Sequence, residues 1–331
     1  MKRNEYEFSG EELEAKLPEF ASLGITELTV YDALFASDRG KLIHFMKSVQ
    51  KVCPDILLTI RVDAAVLDRD VCNLASQLNC TIDMPLHAVS MDGKSCMFDK
   101  KMYAGRAKMM NDAGLVFGFI IDFALTPGDS LKLFRDRLDF ALEQYPNHID
   151  FPQTESPDES QSARASAYFA AQDIRYARDI AFACRTFYSA GRAVPWFLAV
   201  LRSLKIQSSS FFSDFAEWQR GSSCDYRSGY VPESVNHNEI EKMQLLFLSS
   251  KYEEKGKSEL LPVVQDIVHL NGAFSRLAGE GEEVVVSAFY NPDDIFSPES
   301  LDIVSFFEDV CMQECKVKIF AASDGPDYKI L

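Results

Sequence analysis

The chain has 331 residues, of which 47% are hydrophobic, 25% charged and 12% aromatic, a globular composition that excludes wholesale disorder, collagen and coiled coil. Thirty-four basic against fifty acidic residues give a net charge of −16. Such a surface repels phosphate backbones and anionic lipid and argues against a nucleic-acid or membrane-surface role.

The opening MKRNEYEFSGEELEAKL has no apolar core behind its early positive charges, so it does not read as a secretory signal. Ser9 and Glu12 form a capping box, with Phe8 placed to staple against Leu13, and Leu13, Leu17 and Phe20 recur at helical spacing until Gly24. A strand follows at Ile25–Tyr31, then a helix over 39–52 that Pro54 ends. The alternation continues: strand Ile56–Val62, helix Asp68–Asn79, strand Cys80–Met84, helix 99–113, strand Val116–Phe123, turn LTPGDS, helix Ser130–Gln144 and strand His148–Pro152. The longest apolar stretch, Gly114–Ile121, is too short to span a bilayer. Eight thinly spread cysteines read as reduced thiols of a cytoplasmic chain.

Strands separated by helices imply βαβ units and a parallel sheet with right-handed crossovers. Periodicity alone leaves an open doubly wound sheet and a partial barrel equally supported. The polar run 154–164 (TESPDESQSAR) interrupts the pattern, and the chain beyond Ala165 is helical until about residue 278. A tail returns to α/β, with strand Glu283–Phe289, a helix from Pro298 to about Gln313 and strand Lys316–Ala321. The aromatics of the helical region (Phe187, Tyr188, Trp196, Phe197, Phe211, Phe212, Trp218) read as core.

Ligands of parallel α/β folds sit at the C-terminal ends of the strands. Those ends offer Asp32 after the first strand, Arg61 and Asp63 after the second, Asp83 and His87 at the third, and Asp122 at the fourth; the fifth leads to Gln153 and Glu155. Such a set binds a cation, a ribose diol or an amino group, or does acid–base work where burial shifts a carboxylate. The plainer alternative is that these residues cap helices and solvate loops. His87 beside Asp83 or Asp122 is a weak metal signal, and Cys311 and Cys315, read as one helical turn apart, lack further ligands nearby, so no metal site is assigned. Dinucleotide, P-loop, serine-hydrolase and zinc-protease motifs are absent from the sequence.

The order of segments resembles the radical S-adenosylmethionine (SAM) enzymes. The run SLGITELTVYDALFASDRGKLIHFMKSVQKVCPDILLTIRVDAAVLD is similar to the stretch after their cluster loop, and GFIIDFALTPGDSLKLFRDRLDFALEQYPNHIDF to their fifth strand and its turn. AQDIRYARDIAFACRTFYSAGRAVPWFLAVL resembles the group with an N-terminal cobalamin-binding domain and a C-terminal domain of unknown function, where an FYN-x-GR-like segment follows the barrel. The resemblance implies a partial parallel (β/α) barrel at 1–155, a linker at 156–164, a helical accessory domain at 165–278 and a strand–helix–strand extension at 279–331. It implies SAM as the ligand, with Asp32, Arg61, Asp63 and Asp122 facing it.

That family holds a [4Fe–4S] cluster on C-x-x-x-C-x-x-C, yet no cysteine precedes Cys53 here, and the family's G-L-P-G-E turn reads A-L-T-P-G-D at Ala124–Asp129. The expectation is a degenerate relative without its own cluster or cobalamin domain, acting as a small-molecule (SAM) binding protein or a protein-interaction scaffold. An open barrel side needs cover, from Asn4–Phe8, a second copy of the chain, or a cobalamin- or cluster-bearing subunit. Two alternatives stand beside it. One is an enzyme using Asp32, Asp63 and Asp122 with His87 as a metal or acid–base site. The other is an active radical-SAM enzyme whose cluster is supplied upstream or by a partner.

Overall fold

The Glu12 backbone donates to the Ser9 hydroxyl while the Glu12 carboxylate accepts from the Ser9 N–H at 2.8 Å, and this capping box starts helix α1 (Gly10–Ser22). Gly24 then turns the chain with a φ of +66°, a conformation costly for any residue with a Cβ. The structure, a computed structural model, describes residues 8–31, 33–152, 164–323 and 325–331. The chain divides into two units, Met1–Pro152 and Gln153–Leu331.

In the first unit α1 is followed by β1 (Glu27–Val30), α2 (Ala33–Ser37), α3 (Arg39–Val52), β2 (Leu57–Arg61), α4 (Arg69–Ala75) and β3 (Cys80–Pro85). A small hairpin, β4 (Val89–Ser90) with β5 (Cys96–Met97), precedes α5 (Lys100–Asp112), β6 (Val116–Ile120), α6 (Leu131–Leu142) and β7 (His148–Asp150). The hairpin has no counterpart among the predicted elements, because two-residue strands are too short to show a period.

The sheet is parallel with order β1-β2-β3-β6-β7. Chain order is kept without reversal, whereas a doubly wound sheet reverses at a switch point. Right-handed crossovers then place every connecting helix on one side. The helices form one layer accordingly, α1 against α3, α3 against α4 and α4 against α5. Helix α3 shows why: Leu42, Phe45, Met46 and Val49 fall on one stripe at i, i+3, i+4 and i+7, and all are fully buried.

The two sheet faces are therefore unlike. One carries Leu58, Ile60, Ile82, Met84, Phe117, Phe119 and Ile149, every one 0% exposed. Each such side chain contributes about 1.5–3 kcal/mol by leaving water. The other face, offset by one residue along each strand, carries Thr29, Thr59, Thr81, Arg61, Asp83 and His148. The sheet is held by its apolar face, which leaves the polar one free for other work.

The second unit begins with α7 (Ala171–Cys184), which runs into a π-helical stretch, Arg185–Ala190. Helices α8 (Phe197–Leu204), α9 (Ser208–Gly221), α10 (His237–Glu254) and α11 (Leu261–Glu280) follow. Phe187, inside the π-helical stretch, is the hub of an aromatic core, with ring centroids of Phe211 and Phe215 each 5.0 Å away and Trp196 at 5.9 Å. Strand β8 (Val284–Ala288), short helices α12 (Pro292–Ile295) and α13 (Ile303–Asp309), and strands β9 (Cys315–Ala322) and β10 (Gly325–Ile330) complete the chain. The last three strands form an antiparallel sheet, β10-β9-β8, packed on α11. Strand β10 was not among the predicted elements.

One expectation is corrected here. Cys311 and Cys315 do not share a helical turn: α13 stops at Asp309 and Cys315 opens β9. The predicted linker lies outside the described residues except for Arg164. No helix among the described residues is long and apolar enough to cross a membrane.

Candidate functional site

Parallel pairing sets equivalent residues side by side on one face, and it builds a polar row across the open face of the sheet. Arg61 on β2 pairs in register with Asp83 on β3, Asp83 with Gly118 on β6, and Gly118 with His148 on β7. One turn of the pleat earlier, Thr29, Thr59 and Thr81 form a second row.

Within the first row, His148 reaches across Gly118 to Asp83. Its Nε2 lies 2.8 Å from Asp83 Oδ1, and 3.7 Å from Asp150 Oδ2. Glycine is what permits this, since a Cβ on residue 118 would sit 2.1 Å from His148 Nε2. Asp83 is 2% exposed, whereas the His148 side chain keeps 24% of its surface. On the far side of Asp83, the Arg61 guanidinium stacks over the Tyr31 ring at 4.6 Å, and its buried Nε has no hydrogen-bond partner among the described residues.

A second group lies beyond the strand ends. Arg137 of α6 is fully buried, donates to the Leu86 and Asp122 carbonyls, and binds Asp122 Oδ1 at 2.8 Å and Asp129 Oδ2 at 3.2 Å. Asp129 also accepts from the Ala124 and Ser130 backbones, and burial pushes its carboxyl up in spite of Arg137. This network braces the LTPGDS turn against the sheet edge. The Tyr103 hydroxyl accepts from the His87 N–H at 3.1 Å; burial raises this phenol, with Asp63 and Asp122 adding to the rise.

Of the residues expected at the strand ends, Arg61 and Asp83 are therefore neighbours in the polar row. Asp63 and Asp122 are half-buried near Tyr103, and Asp122 spends one oxygen on Arg137. His87 is exposed and is tied in through its backbone. Asp32, Gln153 and Glu155 lie outside the described residues. The grouping of three potential metal ligands found among the described residues is Asp83, His148 and Asp150, not one built on His87. His148, Asp150, Gly118 and Tyr103 were not anticipated, although a His-x-Asp alternation on a short strand and a lone glycine in the apolar run VFGFI were both visible.

The cysteines do not fit an iron–sulfur cluster. No three of them gather among the described residues. Cys53 donates to the Leu17 carbonyl and Cys96 to the Pro127 carbonyl, and burial pushes Cys72 up to about 11 and Cys80 up to about 12, away from the thiolate a metal requires.

No family model matches the chain, and no curated protein matches it. Among solved structures, it is similar to the radical SAM methyltransferase TsrM from Kitasatospora setae with tryptophan substrate and a SAM analogue bound: 11% identity, TM-score 0.36, over 43% of this chain and 30% of that one. The same enzyme with cobalamin and a [4Fe–4S] cluster gives 12% identity and a TM-score of 0.34 over 43% and 28%. A variant of Sulfolobus solfataricus 2-keto-3-deoxygluconate aldolase gives 10% identity and 0.28 over 91% and 90%. The chain thus spans less than a third of the methyltransferase it is similar to. Likeness at this level assigns no function, and the chain's own residues must carry the reading.

Proposed function

We propose that the chain is a radical-SAM-like partial barrel without its own cluster, and that it binds a small ligand on the polar face of its parallel sheet, SAM being the first candidate. The observation that carries this is the row Arg61–Asp83–Gly118–His148, in which a buried carboxylate, an imidazole and a guanidinium share one open face. An amino-acid end suits it: Asp83 accepts from an ammonium, and the half-buried Arg61 guanidinium offers a partner to a carboxylate. The singly wound strand order and the resemblance of the surrounding segments support the barrel part of the reading. The 331 residues contain no C-x-x-x-C-x-x-C, so the reading is one of binding rather than redox catalysis.

Isothermal titration of the purified chain with SAM, with iron assayed in the same sample, tests it. Saturable one-to-one binding that Asp83→Asn and Arg61→Gln each weaken about tenfold or more is the expected result. Absence of binding, or binding indifferent to both substitutions, refutes the site.

One observation favours a second reading. Ligand atoms of Asp83, His148 and Asp150 lie within 4.8 Å of one another, the span of a divalent-cation seat with two oxygens and one nitrogen. A cation there would leave coordination positions open toward the polar face and polarise a bound carbonyl or phosphoryl group. Equilibrium dialysis against Zn²⁺, with and without His148→Ala, separates this reading from the first.

A further inference from the structure

Of the five histidines in the chain, four have surroundings that accept a further proton. His44, His148 and His269 lie beside the carboxylates of Glu14, Asp83 and Glu241, and His87 is exposed. His237 differs. It is the first residue of the 18-residue helix α10, is 6% exposed, and meets a guanidinium.

Two hydrogen bonds fix this imidazole. Arg276 Nη1 of α11 donates to Nδ1 at 3.1 Å. A guanidinium cannot accept, so the ring proton sits on Nε2 and is donated to the Gly191 carbonyl at 3.3 Å. The neutral ring thus joins the first turn of α10 both to the end of the π-helical stretch and to α11. Two turns further along α10, Gln244 Nε2 donates to the Phe187 and Gly191 carbonyls at 2.7 and 3.0 Å.

An imidazolium has two donors and no acceptor, so it cannot keep both bonds. Its Nδ1–H would point at an Arg276 N–H. Arg276, 4% exposed, has little freedom to withdraw, because Nη1 also donates to Glu241 Oε2. Glu241 is held in turn by His269 Nδ1 at 2.7 Å, in space that Gly272 leaves free. The other charges around the ring are paired: Glu280 with Arg192, Glu233 with Arg185, and Glu282 with Arg276. A cation on the first residue of a helix also opposes the macrodipole. Burial holds His237 below the usual imidazole range, and Arg192 and Arg276 add to this against the Gly191 carbonyl and Glu241. The ring has an exit, since it lines a cavity of about 510 Å³.

We propose that His237 is a proton-operated latch: neutral, it clasps the first turn of α10 to Gly191 and Arg276, and once protonated it swings into the cavity and frees that turn. The rest of α10 stays in place, because Phe247 packs on Phe211 and Phe215 at 5.2 and 5.0 Å. The opened ring takes its proton near the ordinary 6.5 and the closed ring at lower pH. The latch is therefore fully closed above 6.5 and loosens as pH falls below it. Neither neighbouring acid–base group imitates this. His269 Nδ1 donates to Glu241 whether or not its ring is charged, and Asp266 of α11 has the opposite sign, being stabilised by acid.

Hydrogen exchange of the full chain at pH 7.5 and 5.5, expressed as protection relative to the free-chain rate at each pH, tests the latch. Amides of residues 237–243 are expected to lose protection about tenfold on acidification, while those of α9 in the same sample hold theirs. His237→Gln, whose amide serves both partners without titrating, is expected to abolish the loss, and His269→Gln to leave it intact. A buried substitution can disturb folding, so nuclear magnetic resonance of histidine-labelled wild type supplies a second reading: the His237 ring should titrate below 6.5. Undiminished protection at pH 5.5, an equal loss in α9, an equal loss in folded His237→Gln, or a His237 ring titrating at 6.5 or above overturns the proposal.

Discussion

Substituting Gly118 by alanine sets two effects of opposite sign against each other. Alanine in a strand interior is normally favoured over glycine by about 0.5–1 kcal/mol, because glycine loses more freedom on folding. Gly118 has no positive φ to protect, so propensity alone predicts a more stable protein. The geometry predicts the reverse, since the added Cβ would lie 2.1 Å from His148 Nε2 and 2.4 Å from its Cδ2. The imidazole must leave, and Asp83, 2% exposed, loses its partner at 2.8 Å. A hydrogen bond to a charged group contributes about 1.5–3 kcal/mol, so the net expectation is destabilisation by about 1–2 kcal/mol.

Tryptophan fluorescence is blind to this change because both tryptophans lie in the second unit. Hydrogen exchange of the β3, β6 and β7 amides is the suitable assay. A loss of that size speeds exchange through the opened sheet about 5- to 30-fold. In a His148→Ala background the clash is gone, and the same Gly118→Ala change is expected to slow exchange. If it slows exchange, or leaves it unchanged, with His148 present, the arrangement of the polar row is wrong.

Other consequences follow from the buried charges and thiols. Arg137→Leu is expected to cost about 3–5 kcal/mol in unit-one stability, because Asp129 and Asp122 are left without their counter-charge; Asp122→Asn, which keeps an acceptor for Arg137, is expected to cost less, and urea titration followed by far-ultraviolet dichroism ranks the two. Asp266 of α11 accepts from the Phe289 and Tyr290 N–H groups, and burial pushes its carboxyl from 3.8 up to about 6. Since the folded state holds this proton more tightly, the stabilisation is full below about pH 4 and is lost as pH rises through 6, about 3 kcal/mol in all. Asp266→Asn should remove that slope from urea midpoints read by tryptophan fluorescence at pH 4.5 and 7. Finally, a maleimide probe at pH 8 is expected to modify Cys311 first, as it is exposed while Cys53, Cys72, Cys80 and Cys184 are buried; faster labelling of Cys80 in mass spectra would contradict the packing of β3.

Much of the first unit is legible from hydrophobic period, because α3 has a stripe and a stop. The predicted helix over 39–52 coincides with Arg39–Val52. The five parallel strands are legible for the same reason, their apolar faces being continuous. What period cannot show is register, and the polar row is made by register. Asp83 and His148 are 65 positions apart in sequence and touch only because β6 lies between them with a glycine at the crossing. The strand-end rule consequently led to Asp122 and His87, residues at the right height but on the rim. Arg137 was hidden differently: it stands within the buried stripe of Phe134, Leu138 and Ala141, where a charged residue is itself the signal of a buried acid opposite.

The same logic links two crossings, one in each unit. Gly118 and Gly272 each occupy an element where alanine would be the better residue, a strand in one case and a helix in the other. Each is placed where a polar side chain from the neighbouring element crosses, His148 over the first and Glu241 over the second. Neither crossing is needed for folding, since apolar residues of matching volume pack such positions at equal or lower free energy. Buried polar pairs of this kind restrict the fold to one arrangement, and the second also fixes the Arg276 guanidinium through Glu241 Oε2 and His237 Nδ1. The two glycines thus mark where the packing of each unit was traded for a polar contact between neighbouring elements.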